Sequence, residues 1–150
     1  MFVSITRVRL RSFRYAPGFA WRNFLAVRQV CRANGFVSGR LLIDVHWTFW
    51  TLTAWNSEQH MKAFRSTAAH RSAMPSLMKW CDEASNAHWI ATSVDAAVPT
   101  WQQAFVHLVE EGHLSPVANP SRNHQARRFA KPRLKPLIET DLKPARMEPR

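Results

Sequence analysis

The sequence predicts an α+β fold built on one sheet, and three observations predict it. Residues 47–55 read as a strand with two largely apolar faces: Trp47, Phe49, Thr51, Thr53 and Trp55 on one, Thr48, Trp50, Leu52 and Ala54 on the other. At Asn56 the hydrophobic period turns helical, and Met61, Phe64 and Ala68 fall on one stripe. Over the first 92 residues such signals follow the order strand–helix–strand–strand–helix–strand, which is the ferredoxin-like βαββαβ order.

Strand one covers residues 2–11, where Phe2, Ser4, Thr6, Val8 and Leu10 alternate with Val3, Ile5, Arg7, Arg9 and Arg11. Three arginines in line on a half-apolar face suit a solvated edge or an anionic partner, and base rates for charged side chains favour the solvated edge. A helix opens at Ala16-Pro17-Gly18 and stops at Asn34-Gly35, with Ala20, Phe24, Val27 and Cys31, flanked by Phe19 and Val30, as its buried stripe and Trp21 read as core. Residues 36–44 form strand two, with Gly39 expected to mark a bulge. After strand three, Asn56 is the expected cap of the next helix, with Gln59 reaching back to it. A break over 67–70 precedes a second helical segment, with Pro75 in its first turn. Strand four is expected over 86–92. A final helix starts at 98–101, with Thr100 and Gln103 at capping-box spacing, and ends at Gly112.

A sheet of this order carries helices on one side only. Its other face is bulky and apolar here, and an exposed patch of that size calls for a partner. A second copy is the natural one, closing two sheets into an α+β barrel with the final helix on the dimer's outside or rim. The expected organisation is a barrel domain over 1–114 and a disordered tail over 115–150, where six prolines and nine Lys/Arg leave few large apolar residues to offset ordering entropy. Deleting that tail is therefore expected to leave dimerisation and stability nearly unchanged.

The net charge of +11 is uneven: residues 1–114 carry 12 Lys/Arg against 7 Asp/Glu, and residues 115–150 carry 9 against 3. Such a tail implies at most weak, salt-sensitive binding to nucleic acid or an anionic surface, and no specific nucleic-acid partner, since Phe129 alone in it offers a ring for stacking. No apolar run reaches the ~18 residues of a membrane span, and the first residues lack the pattern of a secretory signal, so the expected location is cytoplasmic. Cys31 and Cys81 read as free buried thiols. With no Gly-rich phosphate loop, nucleophile elbow, carboxylate pair or metal-type Cys/His spacing, a hydrolase, a kinase and a nicotinamide enzyme are disfavoured.

The strand ending Leu52-Thr53-Ala54-Trp55, the cap at Asn56-Ser57-Glu58, the helix through Phe64 and the late His70 resemble the antibiotic-biosynthesis-monooxygenase-like superfamily of dimeric α+β barrels. Thr6-Arg7-Val8-Arg9-Leu10 resembles that superfamily's first strand, and Gly35-Phe36-Val37-Ser38-Gly39 the entry to its second. The Arg-rich first strand and long first helix resemble spheroidene-monooxygenase-like members. The resemblance implies oxidation of a small apolar aromatic or polyene substrate in a pocket of each subunit, either without a cofactor or with haem. Thr6 stands where haem-degrading members carry a catalytic Asn, and Phe64 and Met74 where they carry an aromatic residue and a His. Their haem-holding pair is thus not reproduced, unless His70 has taken over.

His70, whose imidazole titrates near neutrality, and Thr6, which the resemblance places at the position of the catalytic Asn and which can hydrogen-bond without the amide's paired donor and acceptor, are the candidate catalytic residues. Trp50, Trp55, Phe64, Met74 and His88 are the candidate substrate-binding residues; Trp50 and Trp55 lie on opposite strand faces, so at most one lines any cavity. A non-catalytic small-molecule-binding or dimerisation module is the rival reading.

Overall fold

The structure, a computed structural model, describes residues 1–44, 46–92, 99–133 and 138–145. Strands β1 (Phe2–Leu10), β2 (Phe36–Ile43), β3 (Thr48–Trp55), β4 (Cys81–Ile90), β5 (His113–Leu114) and β6 (Ile138–Leu142) form one sheet in the order β5-β4-β1-β3-β2-β6. Every neighbouring pair is antiparallel. The inner four strands, with α1 (Ala16–Val30) after β1 and the pair α2 (Glu58–Arg65) and α3 (Ala68–Trp80) after β3, are the ferredoxin-like arrangement the sequence predicts. Helix α4 (Trp101–Glu111) and the short α5 (Arg122–Gln125) follow.

Alternation along the strands builds two different faces. On the side of α1 to α3, Phe2, Phe36 and Trp55 pack with Val30 and Met61 at one end, and Leu10, Phe49 and Cys81 pack with Phe19 at the other. On the opposite side Val3, Ile5, Leu42, Trp50, Leu52 and Ala87 meet Trp101, Ala104, Phe105 and Leu108 of α4. This corrects the expectation of α4 on an outer rim: the helix lies on the face expected to seek a second copy. Its Thr100–Gln103 capping box fixes the start as expected, and its apolar stripe matches the sheet's own. The chain itself covers that face with α4.

The disordered tail is also corrected. Strand β6 adds to the edge of β2, pairing Leu142 with Gly39 and Ile138 with Ile43. Along the other edge, Ser115 and Ser121 donate backbone bonds to Ala84 and Asp82. Val117 and Phe129 pack on the two cores, and Leu142 is buried. Composition counted side chains, whereas the segment is ordered largely by backbone groups completing exposed sheet edges.

The arginines of β1 meet anions after all. Arg7 is 3% exposed and pairs with Glu83 at 2.6 Å, while Arg9 grips Asp82 through two bonds of 2.9 and 2.7 Å. Ser121 donates to Glu83, so the tail helps satisfy this buried network. Strand β4 begins at Cys81, five residues before the expected start, because Arg7 and Arg9 hold its acidic residues against β1. Smaller shifts have local causes. Ser57, not Asn56, caps α2, since the Asn56 amide bonds to Gly35 and keeps that residue on the strand side. The break between α2 and α3 is confined to Ser66 and Thr67, and Pro75 falls inside α3. The bulge of β2 lies between Phe36 and Ser38; Gly39 instead permits close approach, because a Cβ there would sit 2.7 Å from the Leu52 carbonyl. Helix α1 buries the expected flanks Phe19 and Val30, but Ala20, Trp21 and Phe24, expected inside, face outward. Phe19 fills the sheet-side space against Phe49, with ring centres 4.2 Å apart.

Candidate functional site

Between the two apolar clusters, the helix-side face of the sheet is polar. Antiparallel pairing places Thr6 opposite Thr51 on one side and Asn86 on the other, with Ser4 opposite Thr53 and His88 one step along. Directly opposed residues share a face, so these six side chains form one polar patch. Thr6 sits on a central strand and is nonetheless exposed, whereas Ser4 and Thr53 are buried. A middle-strand residue meets solvent only where the helix layer stands off the sheet, so the layer is open over Thr6.

His70 lies in the first turn of α3, half-buried, its ring edge-on to Phe64 at 5.8 Å. Phe64 leans on Trp55 at 5.4 Å, and Trp55 meets Phe36 edge-on at 5.5 Å. This aromatic chain runs from α3 into the core. On β4, His88 stacks on Phe2 with ring centres 6.0 Å apart, and both its ring nitrogens are enclosed without a hydrogen-bond partner. Burial, and behind it the charge of Arg65, holds the His70 imidazole below its ordinary pKa. Burial likewise lowers His88, with Arg65 and His113 adding to the effect and Glu58 opposing it. Both rings are therefore neutral at pH 7, able to accept a proton.

On the helix side, α1 and α2 border a groove of about 910 Å³ lined by Leu25, Arg28, Gln29, Arg32, Ala63, Phe64 and Thr67 among others. Gln29 spans the helices, donating to Thr67 Oγ1 at 2.5 Å, and its carbonyl oxygen is buried without a partner. Phe64 belongs to both the groove wall and the aromatic chain.

The structure thus brings His70, Phe64 and His88 to one side of the sheet with Thr6. Met74 lies one helical turn beyond His70 and is 36% exposed. Trp55 is on the same side but fully buried, its indole donating to Thr53, so it supports the site from beneath. Trp50 is removed from the site: it is buried under α4 on the other face, against Phe105 and beneath Arg7, its indole donating to Asp44. Asn86, Thr51 and Gln29 escaped the sequence reading. Asn86 alternates with His88 along its strand, yet only the register places an amide beside Thr6.

A residue that holds haem iron must present a donor atom to open space. Both His88 ring nitrogens are enclosed, and Phe64 and Met74 carry no imidazole. Of these candidates His70 alone offers an imidazole that is not so enclosed, and it packs against Phe64, so the aromatic–His pair of haem-degrading members is not reproduced. Among the described residues no cluster of three or more His, Cys, Asp or Glu could hold a metal ion, and no helix is long and apolar enough to cross a membrane.

Among solved structures the chain is similar to a protein from Nitrosomonas europaea described as an antibiotic biosynthesis monooxygenase: 16% identity, TM-score 0.54, covering 62% of this chain and all of that one. A second antibiotic biosynthesis monooxygenase structure matches with 10% identity, TM-score 0.56 and the same coverage. A variant of SnoaB, a cofactor-independent oxygenase from Streptomyces nogalater, matches with 11% identity and TM-score 0.53, over 63% of this chain and 95% of that one. No protein-family model matches the chain, and no curated protein matches it either. The chain has the fold of antibiotic biosynthesis monooxygenases, the fold that the resemblance in its sequence implied.

Proposed function

We propose that the chain is a monooxygenase acting without a cofactor on a small, electron-rich apolar substrate held between the sheet and α1 to α3. The observation that carries it is that Thr6 is exposed in mid-sheet on the face that also bears the half-buried His70, its pKa lowered by burial, and an aromatic wall. The fold neighbours support the reaction type, one of them being described as a cofactor-independent oxygenase. In this reading Phe64 and Met74 pack the substrate's apolar body, Thr6 and Asn86 orient its oxygen, and His70 takes a proton from it. The resulting carbanion reduces O2 and combines with it as a hydroperoxide on the same carbon; loss of that carbon's second proton then breaks the O–O bond, leaving one oxygen as a carbonyl and the other as water, so the two C–H bonds supply all four electrons. Screening electron-rich polycyclic phenols for O2 uptake tests the proposal. His70→Ala is expected to lower kcat/KM by about 100-fold or more with the fold intact. If no phenol is turned over but one binds over Thr6, the rival small-molecule-binding module stands instead. A Soret band in the purified protein would support a haem enzyme instead, while no protein-bound Soret band after haem is added and the excess removed would exclude haem.

A further inference from the structure

We infer that α1 is a docking surface for an anionic lipid bilayer. Its outward arc exposes Trp21 (62%), Phe24 (49%) and Leu25 (43%), apolar side chains that a folded chain rarely leaves together in water. At 100° per residue these three fall within one third of the helix circumference, and Arg28 lies on the same arc; Arg32, in the turn just after the helix, borders the same groove as Leu25 and Arg28, and both arginines are exposed. Trp21 stacks on Phe24 at 5.9 Å and Arg28 lies over Phe24 at 5.8 Å, so the patch is continuous. Among the described residues neither arginine pairs with a carboxylate, and residues 1–43 contain no Asp or Glu at all.

Charge decides between the possible occupants. A second copy docked about a two-fold axis would set this arginine-bearing arc against its own duplicate, with no acid on α1 to offset the repulsion. An anionic bilayer answers both chemistries at once: rings and Leu25 enter the headgroup boundary while guanidinium groups stay at the phosphates. The inference is independent of the catalytic proposal, because none of these five side chains takes part in it.

Co-sedimentation of the full chain with vesicles tests it, using phosphatidylcholine alone and phosphatidylcholine containing roughly one-third phosphatidylglycerol. Binding is expected only to the anionic vesicles and is expected to weaken with salt. Arg28→Gln and Arg32→Gln should each lower partitioning roughly fivefold, and Trp21→Ala with Phe24→Ala should abolish it. All four positions are exposed, and far-ultraviolet circular dichroism checks that the fold is kept. Three results overturn the inference: no binding to either vesicle; binding unchanged in the α1 variants, which would assign it to the basic residues after 115; or a self-association, seen by sedimentation, that Trp21→Ala and Phe24→Ala remove.

Discussion

His70 is the residue on which the proposed chemistry turns, and its environment fixes a pH signature. Burial lowers its pKa, so the ring stays a competent base below the ordinary ~6.5 of a free imidazole; kcat/KM is expected to fall with an apparent pKa lower than that. The same shift links to stability. A histidine lowered in the fold is protonated more readily when unfolded, so its contribution is complete above ~6.5 and is lost as pH drops through the folded value. Thermal melts at neutral and mildly acid pH should show this, and His70→Ala and His88→Phe should each flatten the profile. Two structural residues have sharper consequences. Gly35 has φ +76° and an added Cβ would lie 2.2 Å from the His60 ring, so Gly35→Ala should cost about 2 kcal/mol or more in denaturant unfolding. Arg7→Met should cost about 3 kcal/mol, because it takes the closest cation from the buried Glu83 carboxylate and leaves it Arg9 at 3.2 Å and the Ser121 hydroxyl.

Among the elements, β6 and the segment after β5 behave unlike a tail. They close both sheet edges, and Ser121 donates to the buried Glu83. Deleting residues 115–150 is accordingly expected to lower the melting temperature by roughly 10 °C, the opposite of what composition alone implies; an unchanged melt would return that segment to a dispensable role. Helix α4 is held in two ways, by Trp101, Phe105 and Leu108 against the sheet and by the Trp101 indole donating to Glu139 of β6 at 2.8 Å. Removing the tail therefore also loosens α4.

For the whole molecule, α4 decides what the second sheet face can do. Phe105→Asp should detach it and expose Val3, Ile5, Trp50 and Leu52, giving dye binding and concentration-dependent sedimentation that the parent chain lacks on this face. If the parent chain already dimerises through that face, α4 must swing away. A Trp101 indole still packed in the dimer would exclude such a swing.

The sequence by itself determined the order of the first elements, the two-faced character of β3, the α4 capping box and the left-handed turn at Gly35, because each depends on residues within a few positions of one another, although α1 ends at Val30, short of the expected stop at Asn34-Gly35. It also named His70, Phe64 and Thr6, through local spacing and resemblance. Tertiary structure decided the rest. Asn86 joins Thr6 only through strand register; Trp50 leaves the site only because α4 returns across the sheet. Arg7 and Arg9 become a buried network only because Asp82 and Glu83, more than 70 residues away, arrive beside them. These are long-range pairings whose energy lies in burial and in completed backbone edges, and neither is written in the local pattern of a chain.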